Sequence, residues 1–160
     1  MTETTTAGKP SPHVPRVVVR SIWIIHRAAF RLTGGRFGLR TANEARWGML
    51  RLRSSGRRTG KERIAILGFI EDGPNLVTPA MNGWAEPEPA WWLNLQANPS
   101  ATVELPDGTT RPVTARRATG EERDRLWRAL VDLGTAAYTD ANAGLRTRET
   151  AIVVLEPRIS

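Results

Sequence analysis

The chain has 160 residues, 40% of them apolar, and carries a net charge of +7 at neutral pH. That is one domain with enough apolar content for a real core and a surface suited to an anionic partner. The lack of cysteine excludes disulfides, thiolate nucleophiles and cysteine-ligated metals, and the only histidines, His13 and His26, lie too near the N-terminus to serve a core metal cluster or a Ser-His-Asp triad.

Any redox chemistry must therefore come from a bound organic cofactor. Only Lys9 and Lys61 are lysines, so part of the arginine excess is compositional and the basicity is discounted accordingly. No apolar run reaches the ~18–20 residues of a membrane-spanning helix. Val17–Ile25 is interrupted by Arg20 and lacks a small-residue cleavage site, so a signal peptide is not expected.

Residues 1–13 are small, polar and Pro-bearing and read as a disordered tail. Residues 14–45 hold an amphipathic helix and a loop. Over 16–32, a helical projection puts Arg16, Arg20, Arg27 and Arg31 on one stripe and Val18, Ile22, Ile25, Ala29 and Leu32 opposite. Such a helix packs on the domain with its arginines outward, or rests on an anionic membrane surface with Trp23 at the interface. Gly34 and Gly35 end it.

The remainder, 46–157, alternates short strands with turn signals. Gly48–Ser55 reads as a strand with Leu50 and Leu52 inward and Arg51 and Arg53 outward. Glu62–Glu71 follows, apolar on both faces and so expected to be covered on both, with Gly68 marking a bulge or the close approach of a ligand. A third strand spans Asn75–Ala80. Pro89 opens a short helix through Trp91, Trp92, Leu93 and Leu95 that Asn98-Pro99 stops. Ser100–Leu105 and Thr109–Arg117 form a hairpin around Pro106-Asp107-Gly108. Thr119-Gly120-Glu121-Glu122 is a capping box for a helix to Leu133 with Leu126, Trp127 and Leu130 buried. An irregular stretch holds Tyr138, and Ala151–Leu155 is a last strand. Hairpin connections and even spacing predict a mainly β, α+β fold: an antiparallel barrel of six strands with two rim helices and an N-terminal helix. No βαβ alternation or GxGxxG supports a Rossmann fold.

Three segments carry candidate chemistry. Ser54–Arg63 (S-S-G-R-R-T-G-K-E-R) joins the first two strands. Its glycines permit a turn whose exposed N–H groups form an anion nest, and Arg57, Arg58 and Arg63 add charge-assisted bonds to phosphate or carboxylate. The bland alternative is an Arg-rich hairpin in an Arg-rich protein. Pro79-Ala80-Met81-Asn82-Gly83, at a strand's end, offers backbone against which a flat ligand can lie, unless Met81 merely fills a gap. In Ala90-Trp91-Trp92-Leu93-Asn94, an indole can wall an aromatic ligand and an amide can bond its polar edge, with core packing the alternative for the tryptophans.

Together these motifs resemble the deazaflavin-dependent nitroreductase and quinone reductase family of actinobacteria. The likeness runs from about residue 48 to 157 and rests on G-R-R-T-G-x-x-R (Gly56–Arg63), N-G-W-A-E-P-E-P-A-W-W-L-N-L-Q-A-N-P (Asn82–Pro99), V-E-L (Val103–Leu105) and V-V-L-E-P (Val153–Pro157). The resemblance implies a flavin-reductase-like split β-barrel binding coenzyme F420, an 8-hydroxy-5-deazaflavin with a phospholactyl-oligoglutamate tail, and hydride transfer to quinones, nitro-compounds or other unsaturated acceptors. It assigns Arg57, Arg58, Thr59 and Gly60 to the phosphate and tail and Arg63 to a further cofactor contact. Ile64, Ala65, Gly68, Pro79, Ala80, Met81, Asn82, Ala90, Trp91 and Asn94 fall in segments that line the ring. Two departures stand out: bulky Met81 in the ring-proximal loop, and Gly68 where some members carry an aromatic residue. Tyr138, alone where relatives hold several tyrosines, is a candidate substrate contact and proton donor, or a plain loop tyrosine.

The expectation is a cytoplasmic enzyme, monomer or homodimer, with a small-molecule acceptor and without nucleic acid or metal, whose basic N-terminal helix is a candidate peripheral membrane contact. Two alternatives stay open: a non-catalytic lipid or cofactor binder of the same fold, and a flavin mononucleotide-dependent split-barrel reductase.

Overall fold

The computed structural model describes residues 39–81, 87–133 and 147–158. The expected tail, the helix over 16–32, Asn82 and Tyr138 lie outside them. Six antiparallel strands form a barrel: β1 (Gly48–Ser55), β2 (Glu62–Asp72), β3 (Asn75–Pro79), β4 (Ser100–Glu104), β5 (Thr110–Arg117) and β6 (Ile152–Pro157), in the closed order β1-β2-β3-β6-β5-β4. Helix α1 (Ala90–Ala97) follows β3, and α2 (Gly120–Leu133) follows β5. Strand ends differ from the sequence reading by a residue or two. At β3, Ala80 leaves the strand while its N–H still bonds the Ala151 carbonyl at 2.8 Å.

Period-two alternation builds the interior. Leu50 and Leu52, Leu67 and Phe69, Val103, Val113, Val153 and Leu155 point inward and meet Trp91, Trp92 and Leu95 of α1. Helix α1 buries Trp91, Trp92, Asn94 and Leu95, while Ala90, Gln96 and Ala97 face solvent. A second cluster forms outside the barrel, where Ile70, Val77, Ile152 and Val154 pack on Leu126 and Leu130 of α2 and on Trp47. Trp127 is half-buried there.

Two expectations change. The start of α2 is as predicted, but its Glu122 does not turn back to Thr119. Both its oxygens accept from Arg116, Nη1 and Nη2 each at 2.7 Å, while Arg116 Nε donates to Glu156 at 2.7 Å. A guanidinium fork matches a carboxylate better than one backbone amide does. The second concerns β2, whose outer face is covered at Ile70 and at Gly68 but not at Ile64, which is 46% exposed. β2 pairs with β1 along Glu62–Phe69, yet with β3 only from Ile70↔Val77 to Asp72↔Asn75. Among the described residues, the other edge of β2 is therefore open from Glu62 to Phe69. This is the split in the barrel.

Helix α2 is also held by charge: Arg125 to Asp72 at 2.7 Å, and Arg117 and Arg123 to Glu149 at 3.0 Å. Hydrogen bonds from these guanidiniums hold Asp72, Glu122 and Glu149 below their ordinary values of 3.8, 4.5 and 4.5. A carboxylate with a depressed folded value adds stability that is present above its unfolded value and lost as pH falls through the folded one. Unfolding by urea should thus show constant stability from pH 7 to about 5 and a decline below about pH 4. Glu122→Gln should flatten part of that decline.

Candidate cofactor site

The antiparallel order brings the C-terminal ends of β1 and β3 and the N-terminal end of β2 to one end of the barrel, where α1 packs against Ala80 and the core. The β1–β2 turn meets α1 there through Asn94, and Ala80 packs in one core cluster with Trp91, Trp92 and Leu95.

The β1–β2 turn is closed by Gly56 N–H to Lys61 O at 2.8 Å, and Gly60 adopts φ 66°, the left-handed region that favours glycine. The expected backbone nest is absent. Thr59 and Gly60 N–H both donate to Gly56 O (3.2 and 2.7 Å), Lys61 N–H donates to Thr59 Oγ1 (3.4 Å), and Arg57 N–H donates to Asn94 Oδ1 (3.1 Å). Amides spent on closing a tight turn cannot also hold an anion, so the grip falls to side chains.

Those side chains are free for it. Among the described residues, Arg57, Arg58, Lys61 and Arg63 are exposed and form no ion pair, as is true of Arg46, Arg128 and Arg158 elsewhere, whereas Arg51, Arg53, Arg116, Arg117, Arg123 and Arg125 are paired with carboxylates. Arg63 folds back over Gly56, where a Cβ would lie 3.2 Å from its Nε, and donates to Thr59 Oγ1 at 3.4 Å. A cluster of unpaired guanidiniums is what a phosphate followed by carboxylates requires, so the residues present fit an F420 tail.

Asn94 has a different role from the one its sequence position suggests. It is 5% exposed, and its Oδ1 takes both Arg57 N–H and Arg57 Nη1 (3.3 Å). The amide oxygen fixes the turn to α1. Trp91 and Trp92 both belong to the core, 9% and 5% exposed, with ring centroids 6.4 Å apart. Trp91 thus presents only a small part of its surface, while Ala90 before it is exposed. Pro79 and Ala80 are buried, Met81 is half-buried, and Ile64, Ala65 and Gly68 lie along the open stretch of β2.

Two residues escaped the sequence reading. Arg148 Nη2 reaches the carbonyls of Ala80 (3.5 Å) and Pro87 (3.4 Å), and so braces the end of β3. The indole of Trp47 lies against Gly68, where a Cβ would sit 2.8 Å from ring carbon Cε3, and its Nε1 donates to Leu130 O at 3.0 Å. The close approach expected at Gly68 is made by this side chain of the protein itself, and β1–β2 pairing runs through Met49↔Gly68 without a bulge. No local signal near either residue marks these contacts. Among the described residues no cluster of His, Cys, Asp or Glu can hold a metal ion, and no helix is long and apolar enough to cross a membrane.

A barrel with a cationic hairpin beside an open strand edge is an arrangement suited to a ligand with an anionic tail. The profile of the F420H(2)-dependent quinone reductase family matches residues 23–157, and the chain belongs to that family. The F420H(2)-dependent quinone reductase Rv1261c of Mycobacterium tuberculosis is 31% identical over 137 residues, or 84% of this chain and 89% of that protein. Among solved structures, an F420-H2 dependent reductase (FDR-A) superposes with a TM-score of 0.60 at 24% identity, over 74% of this chain and 100% of its own. A chain described as a domain-swapped dimer superposes with a TM-score of 0.61 at 23% identity, over 86% of this chain and 99% of its own. The protein is an F420H2-dependent oxidoreductase with coenzyme F420 as its cofactor.

Asn94→Ala should leave the Arg57 N–H without its partner and release the turn from α1. The expected loss is about 1–3 kcal/mol of stability, together with weaker cofactor binding, read by denaturant unfolding and by titration on one preparation. Asn94→Asp, which keeps the acceptor, should retain most of both.

Proposed function

We propose that the protein reduces a quinone-like acceptor with F420H2, holding the cofactor's tail in the Arg57–Arg63 turn and its ring along Ile64–Gly68 and Pro79–Met81, bordered by Ala90 and Trp91. One observation carries this reading: among the described residues, four cations at the Asn94-fixed turn have no carboxylate partner and stand beside the open edge of β2. An edge of free backbone donors and acceptors suits the amide-like rim of a deazaflavin, and the exposed Ile64 gives its plane an apolar neighbour. Bound reduced F420 supplies the hydride. The protein's part is to bind, orient and exclude water, which needs no cysteine, histidine or metal. Arg58 and Arg63 bind the tail, Asn94 holds their turn in place, and Arg148 keeps the end of β3 in position.

Family membership favours this reading over the lipid binder and the flavin mononucleotide enzyme. The solved neighbour described as a domain-swapped dimer supports a two-chain assembly as one state open to the fold, and light scattering will distinguish it from a monomer.

Arg58→Ala should weaken F420 binding about tenfold, since a hydrogen bond between charged groups contributes roughly 1.5–3 kcal/mol. The loss should shrink as salt is raised. Titration of cofactor fluorescence reads both, with Arg111→Ala on the β4–β5 hairpin as the control that changes net charge equally. Equal affinity for wild type and Arg58→Ala would refute the assignment of the tail to this turn.

A further inference from the structure

Strand alternation divides the charges at the start of β2 between its two faces. Arg63 shares a face with Ala65 and Leu67 and folds over Gly56, while Glu62 shares the outer face with Ile64, diagonally across from Arg53 of β1. Arg53 Nη1 holds Glu62 Oε1 at 3.3 Å, and its Nη2 holds Glu104 Oε2 of β4 at 3.4 Å. Glu104 is held in turn by Arg51 Nη1 at 3.1 Å. We propose that Arg53 is a positioning residue for cofactor binding: it keeps the Glu62 carboxylate on the outer face, away from the cations that receive the tail. The inference rests on the assignment of that tail to the Arg57–Arg63 turn.

Three observations carry it. Glu62 is the only carboxylate between Ser54 and Arg63, and it stands in sequence between Lys61 and Arg63. A glutamate so placed is the nearest internal competitor for the tail, since each ion pair it made within the turn would occupy a cation. Among the described residues its ion-pair partner is Arg53. Second, the restraint does not come from Glu62 itself, whose side chain is 59% exposed and whose pair would be weak if Arg53 were loose. It comes from the other arm of Arg53, because the Glu104 side chain is only 16% exposed and is shared with the buried Arg51. Third, β1 lies between β2 and β4, so one planar guanidinium spans carboxylates on both neighbours, which a lysine's single ammonium cannot do. The position of an exposed carboxylate at the split edge is thereby set from the covered part of the sheet.

The test is a double-mutant cycle on F420 binding to the full chain, followed by cofactor fluorescence at low ionic strength, where screening is weakest. Arg53→Ala should weaken binding about threefold, the scale of an exposed ion pair redirected into the turn. Glu62→Gln alone should change binding by less than about twofold, since Arg53 already holds that carboxylate. Arg53→Ala/Glu62→Gln should return to within about twofold of wild type, a rescue that a loss of charge or of stability does not produce. Arg111→Ala, with the same loss of charge on the β4–β5 hairpin, should weaken binding less than Arg53→Ala does, and urea unfolding reads the stability of each variant separately. The cycle is repeated by calorimetric titration of cofactor-free protein with inorganic tripolyphosphate, and coupling between the two substitutions is expected with both probes. Coupling with tripolyphosphate alone keeps the role of Arg53 and removes the F420 tail from the turn. Independent effects with both probes, or Arg53→Ala binding both as tightly as wild type, overturn the proposal. Arg58→Ala, titrated alongside, then shows whether the assignment of the tail survives.

Discussion

Asn94 Oδ1 accepts two hydrogen bonds from one residue, the backbone N–H and the guanidinium of Arg57, from a position almost wholly removed from water. The cation cluster depends on this pair of bonds. Four like charges within seven residues repel one another, and an untethered hairpin would relieve that by splaying outward. The tie to α1 prevents it, and α1 is in turn fixed by Trp91, Trp92 and Leu95 in the barrel core. The stability of the hydrophobic interior is thereby passed to a surface turn whose own interactions are unfavourable.

The split in the barrel follows from the same arrangement. β3 turns away after Pro79, where Met81 N–H bonds back to Pro79 O at 2.8 Å, so it cannot follow β2 to its N-terminal end. An open edge is ordinarily a liability for aggregation. Here its flank carries Lys61, Glu62 and Arg63, charges of the kind that discourage pairing with a second chain. The exposed Ile64 beside them is the exception that a bound ring would account for.

Much of this was legible in the sequence because it is local. Alternation located β1, β4 and β5, glycine spacing located the turn, and an apolar run closed by Asn98-Pro99 located α1. What was not legible involves partners far along the chain. That Glu122 binds Arg116, which also holds Glu156, and not its own helix start, depends on which strand lies beneath α2. That Gly68 is met by Trp47, and that Asn94 bonds the turn, are properties of packing. The backbone nest was misjudged for another reason: composition shows how many amides a turn contains but not how many its closure consumes.

The pairing of arginines also bears on how the cofactor arrives. Charges matched to carboxylates at close range contribute little to the field a distant molecule feels, so the net +7 is distributed less evenly than composition implies. Among the described residues, the turn at the end of the barrel groups four cations outside any ion pair, so its field is less cancelled than that over α2, whose Arg123 and Arg125 are matched by carboxylates. Under the proposed placement of the F420 tail, that field would draw an oligoanion in tail first.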